Sequence, residues 1–148
     1  MKKFNILFYI LLITFFAGCS EEKKSDAKSC ITCNMKINST SPFTVYLKVG
    51  DKTEYFDDIG CMILYINTHN FDINRIKSMV VTMDTNKTLD AKEAYYKIDE
   101  QTPMHYGFAA YEHKSDGKIP FDEVYIKMLR GEHMANPKIR KQLSGDKS

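Results

Sequence analysis

The chain opens with a largely apolar run from Phe4 to Phe16, set between Lys2-Lys3 and the small residues Ala17-Gly18 that precede Cys19. The run is shorter than the ~20 residues that cross a bilayer, so residues 1–18 predict a signal peptide rather than a membrane span. A polar stretch, SEEKKSDAKS, follows. It has no aromatic residue and cannot bury a core, which predicts a flexible tether over 19–29. From Cys30 onward apolar and polar positions mix. Aromatic and β-branched residues in Phe43–Val49 suit a strand, Gly50-Asp51-Lys52 is turn chemistry, and a second strand ends at Phe56. Ile59, Met62, Ile63 and Ile66 then recur at helical spacing. Asp57-Asp58 places negative charge where that helix begins, which its dipole favours. Ser78–Asp84 reads as a buried strand and Ala94–Ile98 as another.

Part of this pattern recurs. The segment from Pro42, PFTVYLKVGDKTEYFDDIGCMILY, aligns without a gap with the segment from Gly107, GFAAYEHKSDGKIPFDEVYIKMLR. Phe43 meets Phe108, Tyr46 meets Tyr111, and Asp51 meets Asp116. Phe56-Asp57-Asp58-Ile59 meets Phe121-Asp122-Glu123-Val124. The expectation is an α+β fold of tandem strand-strand-helix-strand units. The first covers 30–90. A second, shortened unit covers 91–134, with Ala94–Ile98 available as its missing strand. The basic segment 135–148 is either a short surface helix from Pro137 or a frayed tail.

Charge narrows the function classes. The chain has 148 residues and a net charge of +2, but all nineteen acids and all but two of the twenty-one bases follow residue 19, so the two signs balance there. That balance gives no sign of nucleic-acid binding or of a polybasic membrane patch. The Ala-Gly-Cys ending resembles a bacterial lipobox, with Phe16 where an aliphatic residue is usual. The resemblance implies acylation of Cys19 and an extracytoplasmic protein, anchored by lipid to the cell membrane or outer membrane and facing a periplasm where one exists.

With Cys19 set aside, Cys30, Cys33 and Cys61 remain. An odd count in an oxidising compartment means a disulfide with one spare thiol, or sulfur that binds metal. Cys33-Asn34-Met35 puts a thiolate and a thioether two residues apart, on one side of an extended segment. Both are soft donors and together select monovalent copper over zinc. Thr102-Pro103-Met104 precedes the matching strand of the second unit, so Met104 is a candidate third donor if the two units meet. Met62, Met79, Met83 and Met128 read as core. Cys61, on the apolar face of the first helix, also reads as core. His105 is the histidine best placed to join a metal site.

The Cys-x-x-Cys-x-Met motif, FDDIGCM and TPMHYGFAAYE together resemble the NosL family, lipoproteins that act as copper accessory proteins of nitrous oxide reductase. The resemblance runs from about Cys30 to Val124. It implies a monovalent-copper carrier with no catalysis of its own, partnered by a copper donor and a client copper enzyme. It also implies a tandem ββαβ fold similar to that of organomercurial lyase. By position it assigns Cys33, Met35 and Met104 to the metal and matches Cys30 to the first family cysteine. Asn34 stands where the family usually has glycine. The alternative function is an extracytoplasmic thiol-disulfide oxidoreductase using Cys30 and Cys33.

Overall fold

The structure, a computed structural model, describes residues 28–38 and 40–145. The signal peptide, the lipid site Cys19 and the tether up to residue 27 lie outside the described residues.

Strands β1 (Val45–Val49) and β2 (Lys52–Phe56) form an antiparallel hairpin with Val45 opposite Phe56 and Val49 opposite Lys52. Gly50 turns it at φ +59, where a side chain would be strained. The other edge of β1 pairs with β3 (Lys77–Val81), which pairs in turn with β4 (Thr88–Asp90), giving the order β2-β1-β3-β4. Alternation sends Val45, Leu47 and Val80 inward. Helix α1 (Ile59–Thr68) lies against β1 and β2 and buries Ile59, Met62, Ile63 and Ile66, the residues whose spacing predicts it.

The second half forms an antiparallel sheet of β5 (Tyr95–Lys97), β6 (Ala109–Tyr111) and β7 (Ile119–Pro120), ordered β6-β5-β7. Tyr96 is fully buried at its centre and donates its hydroxyl hydrogen to the Ala91 carbonyl at 2.8 Å. In both sheets the first strand in sequence sits between the second and the third. The helix has moved, however. α1 falls between the second and third strands of the first half, whereas α2 (Phe121–Leu129) follows the third strand of the second. The segments equivalent to β1 and β2 therefore never pair as a hairpin. β6 and β7 flank β5, the Ala94–Ile98 segment, from opposite sides. Asp122 and Glu123 lie inside the first turn of α2 rather than before it, still where the dipole favours acid. Helix α3 (Pro137–Leu143) has Asn136 as its cap, accepting from Lys138 N at 3.1 Å, and buries nothing.

The halves share one apolar core. α1 packs on α2, and the Met83 N–H donates to the Ala110 carbonyl at 2.8 Å. The Asp84 carboxylate accepts from the backbone N–H of Glu112 at 2.9 Å and of His113 at 3.1 Å, and these bonds hold its carboxyl below the usual range. Of the methionines read as core, Met62 and Met128 are buried and Met79 is half-buried. Met83 is 37% exposed, because it lies past the end of β3, where the alternation that would turn it inward has stopped. Among the described residues no helix is long and apolar enough to cross a membrane.

Candidate metal centre

The segment from Lys28 to Ile37 doubles back on itself as an arm. Ser29 and Lys36 form a single antiparallel bridge, and Ile37 N donates to the Lys28 carbonyl at 2.8 Å. At the tip, Cys30 N donates to Met35 O and Asn34 N to Cys30 O, both at 2.8 Å. Closing so tight a loop puts Asn34 at φ 65, in the left-handed region that asparagine tolerates better than most residues. Asparagine is thus a residue suited to this turn. Two bonds seat the tip on the body: Ile31 N to Tyr55 O at 3.1 Å, and Thr32 Oγ1 to Cys61 O at 3.0 Å. The Lys28 ammonium lies 3.6 Å from the centroid of the Tyr55 ring.

The two aspartates before α1 divide their work. Asp58 is the N-cap, and its Oδ1 accepts from Gly60 N at 2.9 Å. Its Oδ2 accepts from Met104 N at 3.3 Å, which ties the Thr102–Met104 loop of the second half to the start of α1. Asp57 turns the other way. Its Oδ1 accepts from the Cys33 thiol at 3.2 Å, and its Oδ2 is buried without a hydrogen-bond partner. Cys61, in the first turn of α1, completes the group. One ligand atom each from Cys30, Cys33, Asp57 and Cys61 lies within 4.8 Å of the others. The three cysteines among the described residues are free thiols; Cys30 and Cys61 are buried and Cys33 is half-buried.

Hydrogen bonding sets the charge of this group. Cys30 is held down to about 6 because the Cys61 thiol and the Cys33 backbone N–H both donate to its sulfur, outweighing its burial. Cys61 is pushed far up, first by giving its hydrogen to Cys30 and then by burial. Burial raises Cys33 to about 11 despite an N–H donated by Met35. Burial also raises Asp58 to about 6. The resting site is one thiolate among two thiols. Backbone N–H groups already aim at two of the sulfurs, and an orphaned carboxylate oxygen waits beside them. Three soft sulfurs and one oxygen at this spacing could hold a metal ion, with loss of the thiol protons on binding.

Cys30 and Cys33, expected at the metal, are both in the cluster. Met35 is 44% exposed and lines a cleft of about 90 Å³ with Asp57 and Pro103, so residues of the Cys-x-Met loop and the Thr102–Met104 loop face the same cleft. Met104 is partly buried beside that cleft's Pro103. His105 is exposed, with φ 58, and lies outside the cluster. Cys61 is buried as its place on the helix predicts, but its sulfur belongs to the cluster as well as to the core. In the sequence Asp57 reads first as helix-start charge. The odd thiol count, and a cysteine in the first turn after an acidic pair, were the available signals for both. Compared with models of known protein families and with curated proteins, the sequence matches none.

Proposed function

We propose that this protein is a membrane-anchored, extracytoplasmic copper(I) carrier that supplies a client metalloenzyme, nitrous oxide reductase being the client suggested by the NosL-like motifs. It carries out no catalysis of its own. The signal peptide delivers the chain across the membrane, and lipid on Cys19 keeps it beside the copper donor and the client. The observation that carries this reading is the gathering of Cys30, Cys33, Cys61 and Asp57 within 4.8 Å, next to a cleft that exposes Met35.

Copper(I) bound by the Cys33 thiolate with the thioethers of Met35 and Met104 is a neutral group, which a half-buried site tolerates better than a charged one. The sulfurs of Cys30 and Cys61 lie in the same cluster as that of Cys33. Transfer proceeds by exchange, one sulfur at a time, to a client offering stronger donors.

A thiol-disulfide oxidoreductase is the weaker reading. Its attacking sulfur has to be both ionised and accessible. Here the sulfur with the depressed pKa, Cys30, is buried, while the accessible one, Cys33, is raised to about 11. An anaerobic competition titration against a copper(I) chelator tests the proposal. Cys33→Ala, Met35→Ala and Met104→Ala are each expected to weaken copper(I) retention; affinity equal to the parent chain in all three removes the site.

A further inference from the structure

Copper held by Cys33, Met35 and Met104 uses only one of the three thiols. Yet the sulfurs of Cys30, Cys33 and Cys61 all lie within 4.8 Å of one another. Two are buried and the third is half-buried, so they form a cup with one accessible lip. Separate bonds fix its walls: Ile31 N to Tyr55 O holds the arm to β2, and Thr32 Oγ1 to Cys61 O holds it to α1. We propose that this cup is a three-thiol receptor for trivalent arsenic, taken up as the neutral hydroxide As(OH)3. The inference rests on the same cluster as the copper reading but not on copper being its cargo.

Trivalent arsenic is soft, bonds three sulfurs in a pyramid, and keeps a lone pair where a metal would take a fourth ligand. It does not use thioethers. Counted from the fully protonated thiols, three S–H and three As–O bonds break. Three As–S bonds form, and each thiol hydrogen leaves with a hydroxide as water; where Cys30 is already a thiolate, a proton from solvent takes the place of its thiol hydrogen. Arsenic stays trivalent, so neither oxidant nor reductant is needed. Cys33 is the sulfur an incoming molecule meets first. Its hydrogen already points at Asp57 Oδ1, beside any hydroxide departing from that position. Cys30 and Cys61 then close the second and third bonds from below.

Charge favours this occupant. A divalent ion on three thiolates and the Asp57 carboxylate would leave two net negative charges in a largely buried site. Among the described residues no salt bridge reaches Asp57. As(SR)3 is neutral and requires no counter-charge.

The test is native mass spectrometry of the full chain, reduced with a phosphine in detergent and exposed to sodium arsenite. The expected product carries one arsenic and has lost three hydrogens, with Cys30, Cys33 and Cys61 protected from alkylation. A Met35→Ala/Met104→Ala double variant gives the same product. Cys61→Ser is expected to surrender arsenic to a competing dithiol about tenfold more readily. An adduct lacking only two hydrogens, an adduct in which Cys61 is alkylated, or no adduct overturns the inference; these readouts on the parent chain decide even if Cys61→Ser does not fold. A copper(I) titration run in parallel separates the two ideas. Copper retention without the three-bond arsenic adduct sinks this inference alone, and the reverse sinks the copper reading alone.

Discussion

The Asp58 carboxylate receives the backbone N–H of Met104 from 46 residues away, at 3.3 Å, while it caps helix α1 through Gly60 N at 2.9 Å. One buried side chain thereby starts the helix that carries Cys61 and anchors the loop that carries Met104. Asp58→Ala is expected to cost about 1 kcal/mol for the lost cap, and more for the two N–H groups left without their acceptor. Chemical denaturation measures the stability. A copper(I) titration of the same variant is expected to show weaker binding, because the Met104 loop is no longer fixed.

Burial also makes Asp58 a source of pH dependence. Its folded-state pKa is raised from the ordinary 3.8 to about 6. Its contribution to stability is therefore complete below 3.8 and is lost as pH rises through about 6. Asp58→Asn, which keeps an accepting oxygen, is expected to remove that decline, and denaturation curves across this interval show whether it does.

Cys30 works in the opposite sense. Its pKa is lowered from 9.0 to about 6, so its contribution to stability is present above 9 and is lost as pH falls through about 6. In reduced, metal-free protein, the ultraviolet absorption of one thiolate is expected to appear with a midpoint near 6. Cys61→Ala removes the principal hydrogen-bond donor and is expected to move that midpoint up toward the ordinary thiol range.

Gly60 has no room for a side chain. A Cβ there would overlap the Tyr106 ring, which packs against the first turn of α1. Alanine favours helix over glycine, yet Gly60→Ala is expected to destabilise the fold by about 1–3 kcal/mol through overpacking. A gain in thermal stability would show that Tyr106 does not occupy this position.

The arm's turn gives a matched pair. Asn34→Ala puts an ordinary side chain at φ 65 and is expected to cost about 1 kcal/mol. Asn34→Gly is expected to fold and to hold copper(I) as well as the parent chain. Met83→Ala, at an exposed position, serves as the control, with stability changed by less than about 0.5 kcal/mol and copper binding unchanged.

The elements with strong periodicity were legible in the sequence. β1, β2, α1, β3 and β5 fall where apolar alternation or helical spacing puts them. β4 has no signal of its own in the sequence, since Thr88–Asp90 is short and gains its place by pairing with β3. The repeat misled at one point: matching segments suggested a second hairpin, but β5 inserts between its two strands, and such long-range pairing leaves no local signal. At the site, the Cys-x-x-Cys motif was plain. Cys61 and Asp57 are harder to assign because each also fits a structural role, the one on an apolar helix face, the other at a helix start. Only the docking of the arm onto α1 turns them toward Cys33.

Cys33 stands over two buried sulfurs, flanked along the arm's tip by Ile31, 47% exposed, and Met35, 44% exposed. An ion or reagent arriving from solution therefore meets Ile31, Cys33 and Met35 before it reaches Cys30 or Cys61. Substitutions at Ile31 or Met35 are expected to alter access to all three sulfurs together.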